Sequence, residues 1–188
     1  MAKKTKKTTD WLQSAALRTT RLHFLYVGAY MASIIVFDSW NLLTHEAVSD
    51  FWTIAISLLV LNTVFWYLAR MTFANPMVYQ LLILLLVVAD IIFASLTIYW
   101  ERGLASSSVI LYTVPIITAA ALRSRSTLIA TATLCAAGYS AAAVKYFYQH
   151  YGESFRVELY GEIGLYSAVF FILVGLLLVV VRPSKIGP

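Results

Sequence analysis

The chain has 188 residues, of which 61% are hydrophobic and only 12% charged, with a formal net charge of +5. A mean hydropathy of +0.78 exceeds that of a soluble globular domain, and the apolar residues come in runs near the ~20 needed to cross a bilayer as helix. Such a length accommodates about six spans joined by short loops and leaves no room for a soluble catalytic domain. The positive residues sit at the ends of apolar runs, which reads as membrane orientation and argues against nucleic-acid binding.

Residues 1–21 read as a basic cytoplasmic tail, with Lys3, Lys4, Lys6 and Lys7 lying against anionic headgroups or disordered. Within that tail, 10–20 is predicted to form a short interfacial helix, with Asp10 as cap, Gln13 three residues later and an apolar side made of Trp11, Leu12, Ala15 and Ala16. The first apolar run starts after about twenty residues and leads into further spans, unlike a cleavable signal peptide. Span 1 is predicted at 22–40, span 2 at 51–69 with Asn62 inside it, and span 3 at 77–100 after the Asn75-Pro76 turn. Span 4 covers 104–122 and contains Pro115, a tight basic turn follows at 123–126, span 5 runs over 127–147 and span 6 over 163–181. The predicted domains are thus the tail 1–21, a six-span bundle 22–181 and a short cytoplasmic tail 182–188.

Lysine and arginine set the orientation. Arg18, Arg21, Arg70, Arg123, Arg125, Arg182 and Lys185 join the basic tail on one side, against Arg102 and Arg156 on the other. The bias predicts an all-α, polytopic six-helix bundle in the cell inner membrane with both termini cytoplasmic.

Asp90 is the sharpest chemical signal, because a carboxylate at mid-membrane costs a few kcal/mol and must face the bundle interior, find a partner or stay protonated. It is either a ligand anchor or proton site, or a protonated acid hydrogen-bonded to a neighbouring helix. Asn62, at a comparable depth on span 2, is a candidate for that neighbour. Pro115 frees a carbonyl near Leu111 and is flanked by Tyr112, Thr113 and Thr118, so a kink lined by hydroxyls is expected there. Asp90, Asn62, Tyr112, Thr113, Pro115 and Thr118 therefore form the candidate ligand site. On span 5 the small residues Ala132/Ala136, Ala137/Ala141 and Gly138/Ala142 repeat at four-residue spacing, which suits a central helix or a docking face for a second copy or another membrane protein. Lys145 is close enough to the outer surface to snorkel, and an ion pair with Asp38 competes with that reading.

Catalytic templates fail. His23, His45 and His150 lie near different spans or loops with no metal-ligand spacing, and Cys135 is the single cysteine. Gly138-Tyr139-Ser140-Ala141 lacks the second glycine of a rhomboid-type Gly-x-Ser-Gly, and span 6 has no histidine to act as base. No catalytic residue, metal or cofactor is expected.

Between 98 and 122 the residues Ile98-Tyr99, Gly103, Ser106-Ser107, Leu111-Tyr112, Pro115-Ile116-Ile117 and Ala119-Ala120-Ala121-Leu122 precede a basic turn and an Ala-rich span. This text resembles the membrane sensor region of bacterial histidine kinases of the PilS-like kind. The family's loop often reads Thr-Gly-Gly and then Ser-Pro-Phe, where this chain has Glu101-Arg102-Gly103 and Ser106-Ser107-Ser108. The resemblance implies a six-helix sensor bundle with cytoplasmic ends. The family continues into a dimerisation helix and an ATP-binding domain that these 188 residues do not include, so the expectation is a sensor or accessory module without its own kinase. The alternative is the substrate-binding subunit of a small-solute transporter, similar in size and span number to the S component of energy-coupling-factor importers.

Overall fold

The computed structural model describes residues 2–101, 107–150 and 156–180, with only the backbone described at 2–10, 107 and 156. Gly103, Ser106, Arg102, Glu153 and the 182–185 helix stop lie outside the described residues. All regular structure is helical, with no strand among the described residues: α1 Ala2–Ser39, α2 His45–Arg70, α3 Met77–Glu101, a 3₁₀ segment Ser107–Tyr112, α4 Thr113–Ala120, α5 Arg125–His150 and α6 Arg156–Val180. Among the described residues five helices are long and apolar enough to cross a membrane: Trp11–Ser39, His45–Arg70, Met77–Glu101, Arg125–His150 and Val157–Val180. The apolar stretch Ser108–Ala120 is shorter. The chain divides into two compact units, Met1–Leu86 and Val87–Pro188.

The first unit is built on the α1/α2 hairpin. Leu12, Ala16, Thr19, Thr20, His23, Val27, Tyr30 and Ile34 are buried on α1, and Phe51, Ile54, Ala55, Leu58, Asn62, Phe65 and Ala69 on α2. Both sets recur every three or four residues, so each helix turns one stripe to its partner. Between them the backbone reverses at Asn41, whose φ of 52° is the left-handed conformation that asparagine tolerates. The Leu42 amide donates to the Phe37 carbonyl at 2.9 Å, closing α1, and Thr44 Oγ1 accepts from the Ala47 amide at 3.3 Å, opening α2.

Two expectations change here. The interfacial helix predicted at 10–20 is not separate from span 1, because α1 is continuous over its 38 residues. No glycine or proline interrupts 11–22, and the buried stripe that starts at Leu12 runs unbroken into Val27. Gln13, read as part of an N-terminal cap, instead donates through Nε2 to the carbonyls of Ala69 and Met71 at 3.2 and 3.3 Å, capping the far end of α2. The second change is at span 4, which is a 3₁₀ segment followed by an eight-residue α-helix. Pro115 is the third residue of α4, within the first turn, where a missing N–H leaves no intrahelical bond unmade. It begins a helix where a kink in a long one was expected.

The turns before α3 and α5 follow their sequence signals. Asn75 Oδ1 accepts from the Met77 amide at 2.9 Å across Pro76. Tyr79, fully buried, then ties this turn down by donating to the Met71 carbonyl at 2.7 Å and accepting from the Phe73 amide at 3.0 Å. Ser124 Oγ accepts from the Thr127 amide at 3.3 Å at the start of α5, directly after Arg123 with its φ of 51°.

Asn62 supplies a test of the first unit. Its Nδ2 donates to the Thr20 carbonyl at 3.0 Å, while its buried Oδ1 has no hydrogen-bond partner among the described residues. The gain of one bond and the cost of one unmet acceptor nearly offset. Asn62→Leu is expected to shift unfolding stability in detergent by no more than about 1 kcal/mol, measured by thermal or denaturant unfolding.

Candidate functional site

In the second unit, polar side chains of two helices, Ser95 and Cys135, meet at Tyr112. This residue is the last of the 3₁₀ segment and immediately precedes α4, and its side chain is fully buried. Its hydroxyl lies 2.7 Å from Ser95 Oγ on α3. Ser95 Oγ also donates to the Ile91 carbonyl at 2.7 Å, which commits its one proton, so the Tyr112 hydroxyl is the donor in the pair. The backbone carbonyl of Tyr112 accepts from Cys135 Sγ on α5 at 3.8 Å. Its ring packs against Tyr139 of α5 and Phe170 of α6, with centroids 6.2 and 5.4 Å away. One side chain at the change of helix type thus touches α3, α5 and α6.

Gly138 makes this approach possible. A Cβ built there would lie 2.9 Å from Ser95 Oγ, 3.1 Å from Ile91 Cγ2 and 3.4 Å from the Tyr112 hydroxyl, so a side chain at this position would force Ser95 and its neighbours to shift. Beside this contact, α3 from Val88 to Leu96 and Leu134, Ala137 and Gly138 of α5 line an open apolar groove of about 400 Å³ that includes Ser95 and Ile91.

Asp90 is buried at 1% exposure and lies within electrostatic range of Cys135. Pro115 and Thr118 are buried on α4, and Thr113 turns its hydroxyl back to the Ile110 carbonyl at 2.7 Å. Asp90, Tyr112, Thr113, Pro115 and Thr118 therefore all belong to the second unit, whereas Asn62 belongs to the first, where its amide binds Thr20. Of the small residues on α5, Ala132 and Ala142 are buried, Gly138 meets α3, Ala136 is half-buried, and Ala137 and Ala141 are exposed. Lys145 is exposed and sets Nζ 4.7 Å from the centroid of the Tyr99 ring, a cation–π contact at the end of α3. Asp38 lies at the end of α1, in the first unit.

Ser95, Cys135 and Tyr139 were not anticipated as part of the site. The available signal was a hydroxyl within the most lipophilic span, since Ser95 needs a hydrogen-bond acceptor inside the protein once α3 is in lipid. Among the described residues no group of three His, Cys, Asp or Glu side chains is placed to hold a metal ion.

Gly138→Ala is expected to destabilise the chain by about 1–3 kcal/mol through overpacking. Removing the atom it strikes, in the double variant Gly138→Ala with Ser95→Ala, should recover part of that loss in the same detergent unfolding measurement. No protein-family profile matches the chain, and no curated protein or solved structure shows significant similarity to it.

Proposed function

We propose that the chain is a non-catalytic sensor or accessory module of a signalling system, crossing the inner membrane six times with both ends in the cytoplasm. The observation that carries this reading is the Tyr112 joint. A short, irregular membrane segment hydrogen-bonds to α3 through the Tyr112 hydroxyl and to α5 through the Cys135 thiol and packs its Tyr112 ring on α5 and α6, so a small displacement of α4 changes contacts on three helices together. A bound species acts on such a joint only by favouring one packing over another. Asp90, buried in the same unit, is the natural anchor for it, and the PilS-like text over 98–122 supports the sensory role.

Six crossings require the 3₁₀ segment and α4 to traverse the bilayer. At the rises of the two helix types their six and eight residues cover about 24 Å, which flanking residues extend toward the ~30 Å hydrocarbon thickness. Arg123 and Arg125 directly after α4 favour an inner location for that turn.

Two measurements test the proposal. In a Cys135→Ala background, Ser124→Cys should react with a membrane-impermeant maleimide in inverted vesicles and not in intact cells; the reverse pattern would leave five crossings and opposite termini. Mild-detergent purification of the tagged chain from its native membrane should bring down a signalling partner whose output changes in Tyr112→Phe at equal expression. An ATPase pair or a retained vitamin-sized solute would instead establish the transporter-subunit reading.

A further inference from the structure

Tyr139 differs from the other fully buried tyrosines. Tyr79 and Tyr112 both hydrogen-bond through their hydroxyls, whereas the Tyr139 hydroxyl, on a residue with 0% exposure, has no hydrogen-bond partner among the described residues. Oε2 of Glu162 on α6 is likewise buried without one. The two groups lie within electrostatic range of each other.

Their placement is ordered. Glu158, Glu162, Tyr166 and Phe170 follow one another at four-residue spacing and so share one ridge of α6. The Tyr166 and Phe170 rings contact the Tyr139 ring with centroids 5.3 and 6.4 Å apart. Glu158 is exposed and couples electrostatically to Glu162. From the start of α6 inward, polarity thus steps down from exposed Glu158 to half-buried Glu162, then to the tyrosines Tyr166 and Tyr139, and stops at Phe170. A ladder that ends blind in aromatic rings is a place to bind and not a path through. Lys145, a cation on the neighbouring helix, is directed to Tyr99 of α3.

We propose that Glu162, Tyr166 and Tyr139 form a binding site for an ammonium group, carried by a free small amine or by the ethanolamine headgroup of a membrane lipid. An ammonium supplies donors to both the Glu162 carboxylate and the Tyr139 oxygen, and tyrosine rings favour a cation over their faces. A single carboxylate and a phenol are too few oxygen ligands for calcium. Binding of this kind depends on α5 and α6 alone and stands whether or not the chain signals.

The test uses the full chain in detergent with radiolabelled ethanolamine as probe. Saturable binding is expected, weakened at least tenfold by Glu162→Gln and severalfold by Tyr139→Phe, and unaltered by Glu46→Gln on α2. In nanodiscs of phosphatidylglycerol alone the site should stay open to the probe. Competition by added phosphatidylethanolamine would assign the headgroup as occupant, and its absence the free amine. The proposal is overturned if no saturable binding occurs, or if a folded Glu162→Gln chain binds as the parent does; should Glu162→Gln fail to fold, undiminished binding by Tyr139→Phe overturns it equally.

Discussion

A hydroxyl placed among hydrocarbon side chains has to find its hydrogen bond inside the protein, because lipid offers none. At Tyr112 that requirement fixes the arrangement of the second unit. The phenol donates to Ser95, whose own hydroxyl donates to the Ile91 carbonyl one turn back in α3, and the missing side chain at residue 138 leaves room for the Ser95–Tyr112 contact. Each element of the contact presupposes the others. Its net worth is modest, as hydrogen bonds between membrane helices usually are, so the joint holds position without locking it.

The first unit solves the same problem differently. Its polar groups are met largely by carbonyls at the hairpin's own seam: Asn62 on Thr20, His23 on Thr19, Gln13 on the end of α2. These contacts tie backbone to side chain within two helices, and the buried stripes on either side repeat with helical spacing over nearly the whole length. The result is a regular pair, in contrast to the irregular α4 region that begins with a 3₁₀ segment.

Much of this was legible in the sequence, for a simple reason. Long apolar runs, the Asn75-Pro76 turn and the basic 123–126 turn act through local chemistry, so α3 and α5 start and stop near where the residues say, whereas α2 and α6 begin at His45 and Arg156, well ahead of the predicted 51 and 163. Burial of Asp90, Tyr112 and Thr118 follows from the cost of exposing polar groups to lipid. What was not legible depends on partners distant in sequence. Gln13 reads as a capping residue until Ala69 and Met71 are known to lie beside it, and Pro115 reads as a kink until the preceding residues are known to be 3₁₀. The four-residue repeat on α5 marks closeness without saying of which pair, and Gly138 is where it meets Ser95 and Ile91 of α3. Tyr139 carries no signal at all, since an unmet hydroxyl is defined by what surrounds it.

The unbroken course of α1 has a mechanical consequence. At ~1.5 Å per residue its 38 residues measure about 57 Å, nearly twice the hydrocarbon thickness. With no glycine or proline in the stretch before Leu22 to absorb bending, the lysine-bearing end behaves as the far arm of a stiff rod. A rotation of its apolar part is carried along one continuous helix to the end that bears Lys3, Lys4, Lys6 and Lys7.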